Sequence, residues 1–207
     1  MAYGFLDIAL TPSVRAVQAR MGVDHLWRDA GHDRAFDRFT EAEAAFIAER
    51  DSFYMATVSE TGWPYVQHRG GPKGFLRMLD ETTLAFADYS GNRQYISTGN
   101  LADNPRVCLF LMDYPNRARL KVYAEAEVLE PDAAPELLAT VEQPGYRARI
   151  ERIYRLRLKA FDWNCAQHIT ARFTQAEVSA AVQPLLRRIA ELEAETEALR
   201  AQLAAAP

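Results

Sequence analysis

Apolar and polar positions alternate in short runs through the middle of the chain and fall into helical spacing towards its ends. Residues 53–59 read FYMATVS, the turn Glu60-Thr61-Gly62 follows, and 63–68 return as a second strand. Pro64 suits the first or edge position of that strand. A second hairpin is predicted over 75–79 and 83–88, turning at Asp80-Glu81-Thr82. Residues 106–112 form a near-continuous apolar strand. Residues 119–129 place Leu120, Val122, Ala124, Ala126 and Val128 on one side, and 155–161 alternate again as RLRLKAF.

Helical signals bracket these strands. Thr11 as N-cap, Pro12 at the first position and Gly22 beyond the end predict a helix to Met21, with Val14, Val17 and Met21 as one packed face. An irregular polar and aromatic arm follows over 25–39. Thr40 and Glu43 form a capping box opening a short helix to Glu49, and 131–141 bring Leu137, Leu138 and Val141 onto one face. A second capping box, Thr174 with Glu177, opens the C-terminal helix. Along it Val178, Val182, Leu185, Ile189, Leu192, Thr196, Leu199 and Leu203 alternate steps of four and three, a heptad seam. Pro184 predicts a kink or break there, leaving 185–203 as the coil segment. A two-chain coil and a helix docked on its own barrel both satisfy that seam.

Six or seven strands joined mostly by tight turns predict an antiparallel barrel, mainly β with peripheral helices. No GxGxxG follows a strand, so a doubly wound dinucleotide fold has no support. The chain divides into an N-terminal helix and arm (1–39), the barrel (40–173) and the C-terminal helix (174–207).

Composition narrows the function classes. The 207 residues suit one domain with appendages, and 49% hydrophobic content is ample for a core. A net charge of −4 argues against general nucleic-acid binding. No run reaches transmembrane length, and the start MAYGFLDIALTPSVR lacks a basic n-region and a cleavage site. The expectation is a soluble cytoplasmic protein without a membrane partner. Two cysteines make no disulfide framework, and Cys108 within VCLFLM reads as a buried free thiol. Cys165 and His168 form C-x-x-H without two further ligands, and His25 and His32 stand too far apart, so no metal is expected.

Candidate chemistry gathers around the second hairpin. His68-Arg69-Gly70-Gly71-Pro72-Lys73-Gly74 precedes it and Ser90-Gly91-Asn92-Arg93-Gln94 follows it. Glycine admits close backbone approach, and arginine and lysine neutralise a phosphate. Most such cations are simply solvated; four around one hairpin (Arg69, Lys73, Arg77, Arg93) favour an anion site. A helix starting at Asn92 would add its N-terminal N–H groups. His68 is the candidate proton donor, set against the commoner reading of a hydrogen-bonded strand histidine.

The stretches RDSFYMATVSETGWPYVQHRGGPKGF, GNRQYI, NLADNPRVCLFLMDY and DWNCAQHI together resemble the pyridoxamine 5′-phosphate oxidase-like FMN-binding split-barrel family. The resemblance implies an antiparallel split β-barrel, an FMN cofactor and a homodimer. It implies that Arg93 holds the FMN phosphate with help from Asn92. Gln94 departs from the family's lysine, so Lys73 and Arg69 carry more of the charge. It also implies that Arg119 faces the flavin ring, and that Trp163, Asn164 and Gln167 reach a flavin bound largely by the other subunit. The substrate signature of the pyridoxamine phosphate oxidases themselves is replaced by DWNCAQHITARF, so a true oxidase of that kind is not expected. The implied activity is a flavin-dependent oxidoreductase using a small-molecule substrate or electron donor. A non-catalytic flavin carrier or sensor, and haem binding on the same fold, are the alternatives.

Overall fold

The computed structural model describes residues 4–27, 38–163 and 167–205. Most of the irregular arm, including His32, lies outside the described residues, as do Asn164 and Cys165. The elements in order are α1 (Phe5–Ala9), α2 (Pro12–Arg20), a 3-10 turn (Asp24–Trp27), α3 (Glu41–Ala48), β1 (Ser52–Val58) and β2 (Pro64–Gly70). Then come β3 (Arg77–Asp80), β4 (Thr83–Tyr89), α4 (Ile96–Asp103), β5 (Arg106–Asp113) and β6 (Ala118–Leu129). A 3-10 turn (Pro131–Ala133), α5 (Pro135–Val141), β7 (Ile150–Trp163) and α6 (Gln175–Ala204) complete the chain. No described helix is long and apolar enough to cross a membrane.

The seven strands form one antiparallel sheet in the order β2-β1-β5-β6-β7-β4-β3. β2 and β4 stand first and sixth, so in a flat sheet they would lie roughly 24 Å apart at about 4.8 Å per strand. Yet the Arg69 guanidinium of β2 pairs with Asp88 of β4. The sheet is therefore curled until its two sides face each other, without hydrogen bonds closing it. α4 bridges the opening: Ser97 Oγ donates to Gln67 on β2 at 2.8 Å and Asn100 Nδ2 to Thr57 on β1 at 2.9 Å. Its Thr98 hydroxyl bonds the Tyr154 hydroxyl on β7 at 2.7 Å. This is the antiparallel barrel expected from the alternating runs, left open on one side as the family resemblance implied.

Period-two alternation puts Phe53 and Met55, Leu109 and Leu111, and Leu120 and Val122 into one core with Phe86, Leu156 and Phe161. β4 is buried on both faces, because Ala85 and Ala87 meet a smaller cluster with Ile153 and Val141 of α5. Both capping boxes form as expected. Glu43 does more than cap. Its carboxylate accepts from the Thr40 N–H at 2.8 Å, the Thr40 hydroxyl at 2.6 Å and the Trp163 indole N–H at 2.7 Å, tying α3 to the end of β7.

Three expectations are corrected. The α2 face fails to pack: Val14, Val17 and Met21 are exposed, because Phe5 of α1 provides the anchor by stacking on Tyr123 at 4.6 Å and the chain leaves the barrel beyond it. The helix expected over 131–141 is interrupted at Ala134, whose extended φ of −140° precedes Pro135. α6 runs unbroken through Pro184, since the Ala180 carbonyl that loses its partner sits on an exposed helix and can bind water. Of the two readings left open for the α6 seam, docking on its own barrel has no support among the described residues, because every residue of α6 is exposed.

Candidate functional site

The loop between β4 and α4 decides the site. Asn92 Oδ1 accepts from the Gln94 backbone N–H at 3.1 Å, an Asx turn that competes with helix. Arg93 (φ 59°) and Tyr95 (φ 52°) are both left-handed. The helix expected at Asn92 therefore begins only at Ile96, and no helix N-terminus lies at Gly91. What remains is an irregular loop that sets a guanidinium and an aromatic ring at chosen angles.

This loop roofs a pocket of about 160 Å3. Gln67 and Arg69 of β2, Asp88 and Tyr89 of β4, Ser97 and Thr98 of α4, and Glu151 and Arg152 of β7 line it with Gly91, Asn92, Arg93 and Tyr95. Asp88 is its electrostatic hub. One carboxylate oxygen takes the Arg69 guanidinium, and the other accepts Arg152 Nε at 3.1 Å and Nη2 at 3.0 Å. Arg152 also donates to Glu151 at 2.9 Å and lies 4.4 Å over the Tyr95 ring. Burial alone would push the Arg152 guanidinium down, but the Asp88 and Glu151 carboxylates outweigh it and hold it above its ordinary value. Arg69 bonds the Tyr154 hydroxyl at 3.4 Å and lies 5.1 Å over that ring.

Two of the three arginines are thus neutralised by two carboxylates, and the third decides the sign. Arg93 is exposed, lines the pocket and makes no ion pair among the described residues. Inside, Arg69 Nε is buried without a hydrogen-bond partner among those residues. Tyr89 contributes to the lining, but its ring turns towards the α5 side of β4 and packs against Tyr146 at 4.9 Å, where burial, then Tyr146, pushes its phenol up. At Gly91 a Cβ would meet only the Tyr89 carbonyl oxygen, 4.0 Å away, leaving backbone approach open. One free guanidinium, one unsatisfied buried donor and an open glycine fit an anionic head group. The volume falls short of the roughly 300–1,000 Å3 of sites that enclose a whole drug-sized ligand.

Of the residues singled out from sequence, Arg69, Asn92 and Arg93 meet here. Gln94 stays in the loop but is exposed, its side chain within 3.4 Å of Asn92 Nδ2. His68 points to the opposite side of β2 from Gln67 and Arg69 and packs edge-on to Tyr54 at 5.6 Å. Lys73 is paired with Glu49 and lines a separate depression with Arg50 and Arg172. Arg119 lies over the Phe110 ring at 5.2 Å on the outer side of β6. Trp163 packs edge-on against Phe46 at 4.8 Å and spends its N–H on Glu43. Gln167 is exposed, and Asn164 lies outside the described residues.

Sequence reasoning missed Asp88, Glu151, Arg152 and Tyr89. A signal for Asp88 existed: in TLAFADY it falls in phase with the inward Leu84 and Phe86, where a charge demands a buried partner.

The model of the pyridoxamine 5′-phosphate oxidase family matches residues 39–160. No curated protein matches the chain. Among solved structures, a protein from Lactobacillus delbrueckii assigned to the pyridoxamine 5′-phosphate oxidases is 25% identical, covering 62% of this chain and 97% of its own, with a TM-score of 0.47. An FMN-binding protein from Syntrophomonas wolfei is 15% identical over 74% of this chain and 95% of its own, with a TM-score of 0.46. An F420 reductase is 23% identical over 56% of this chain and 93% of its own, with a TM-score of 0.39.

Proposed function

The chain belongs to the pyridoxamine 5′-phosphate oxidase family, and from that membership and the Arg93 pocket we propose that it is a homodimeric FMN-binding oxidoreductase. The observation that carries the reading is Arg93, the pocket's one guanidinium without a carboxylate partner among the described residues. With Asn92 beside it and the Arg69 donor below, it would hold the flavin phosphate. The pocket has room for a head group and not for a ring, so in this reading the isoalloxazine lies outside it, against a surface that a second copy would supply, with Gln167 exposed to contribute from it.

When bound, FMN supplies the electron- and hydride-transfer chemistry. The protein's own task is to neutralise the phosphate, fix the loop and shape access for a small-molecule substrate or electron donor. Asp88 and Glu151 are tied to arginines and are poorly placed to act as bases.

Release and mass spectrometry of the ligand that co-purifies tests the cofactor, with FMN as the expected species. Dominant FAD, deazaflavin or haem would overturn the assignment. Anaerobic reduction of the bound flavin by NADH or NADPH separates an oxidoreductase from a carrier or sensor.

A further inference from the structure

α6 lies beyond the matched family region, and its apolar side is left exposed by the described residues of its own chain. Leu185 is 63% exposed, Ile189 51%, Leu192 43%, Leu199 52% and Leu203 76%. An isolated stripe of this kind needs an occupant, and the composition of the seam names one. Taking Leu185, Leu192 and Leu199 as d places Ile189, Thr196 and Leu203 at a, with Val182 at a just before Pro184. β-Branched Ile189 and Thr196 at a, with leucine at every d, are the combination that favours two parallel strands, and Leu203 at a falls at the end of the seam.

The flanking charges make an independent case. Position g holds Arg188, Glu195 and Gln202, and position e holds Leu186, Glu193 and Arg200, so the charges sit at 188, 193, 195 and 200. In a parallel, in-register pair each g residue faces the e residue five positions on in the other helix. Arg188 then meets Glu193 of the second copy, and Glu195 meets Arg200, so all four cross-helix pairs attract. An antiparallel pair sets g against g and e against e. Its registers satisfy at most one of the two pairings, and one of them sets Glu193 against Glu193. The glutamates at 191, 193, 195 and 197 also disfavour an anionic lipid surface as the occupant.

We infer that residues 185–203 of α6 form a parallel, in-register two-stranded coiled coil with a second copy of this chain, with its two-fold axis along the helices. The pair is about 28 Å long at 1.5 Å per residue and points both barrels to the same end. This contact rests on the chemistry of α6 and not on the flavin reading.

Crosslinking of the full chain tests it. Leu199→Cys puts a thiol on the seam, and Glu197→Cys puts one on the outer face. With added diamide, the seam variant is expected to form disulfide-linked dimer at least fivefold faster than the outer-face variant or the unsubstituted chain, because facing d positions lie within disulfide reach only when parallel. In an antiparallel pair centred near residue 190 the two thiols would be about 27 Å apart. Adding Arg188→Glu to the seam variant should slow crosslinking by about five- to tenfold, and adding Glu193→Arg as well should restore it. Recovery must come from the other chain, since residues five apart do not face each other on one helix; within its own chain Arg188 bonds Glu191 at 3.1 Å. Equal crosslinking at 197 and 199, or no recovery in the doubly reversed chain, would overturn the pairing. A chain that sediments as a dimer without the seam crosslink would overturn it while leaving the flavin proposal intact.

Discussion

Replacing Arg93 by alanine separates phosphate recognition from folding more cleanly than any other change at the pocket. Arg69 cannot serve, because removing it would strip Asp88 of one partner and lose the Tyr154 contact. Arg93 is exposed and unpaired among the described residues, and its left-handed backbone suits alanine no better than arginine. Stability should therefore move by no more than about 0.5 kcal/mol. Charge-assisted hydrogen bonds contribute roughly 1.5–3 kcal/mol each, and about 1.4 kcal/mol is tenfold in affinity. FMN binding should weaken by about ten- to a hundredfold, while riboflavin, which lacks the phosphate, should be nearly unaffected. The assay is parallel titration of apoprotein with both flavins by fluorescence, with a thermal melt of each variant. Arg155→Ala is the control, since Arg155 pairs with Glu127 away from the pocket. Equal loss for both flavins would show that Arg93 serves the ring or the fold. Unchanged FMN affinity would refute the phosphate assignment.

Two further outcomes follow from the buried charges. Asp88→Asn keeps the shape but leaves Arg69 and Arg152 without their shared carboxylate, and should cost about 3–5 kcal/mol in urea unfolding; a loss below about 1 kcal/mol would mean that other contacts hold the curled sheet. Acid should also destabilise the protein. Burial pushes the Glu43 carboxyl up, but the Thr40 and Trp163 donors outweigh it and hold it below its ordinary 4.5. Burial likewise raises Asp113, and Asn116 and Arg50 together hold it below 3.8. Lowered values mean stabilisation that is complete above those ordinary values and lost as pH falls through the folded ones. Stability measured from pH 6 downward should decline below about pH 4.5, and less steeply in Glu43→Gln. Identical slopes would contradict the assigned role of Glu43.

Strands such as β1, β2, β5 and β6 were legible because their burial obeys a period of two, and the capping boxes because their chemistry is local. The same period separates His68 from Arg69: neighbours in a strand face opposite ways, so one cationic cluster in sequence became two places in space. Lys73 joined the cluster by proximity along the chain, and Glu49 claims it instead. The Asp88–Arg152 pair spans 64 residues and needed the β4–β7 register, which no local pattern encodes. The late start of α4 was hidden for another reason, since nothing in Arg93 or Tyr95 as residue types announces positive φ.

Those two left-handed residues set a limit on how this protein can be improved. A chain optimised only for heat resistance would carry glycine at both, because a side chain held in that region costs about 1–3 kcal/mol. Glycine at 93 would relieve the strain and remove the guanidinium; glycine at 95 would remove the ring over Arg152. Thermostabilising searches that score folding alone should therefore converge on this loop and erode ligand affinity there, a trade-off located in two backbone angles.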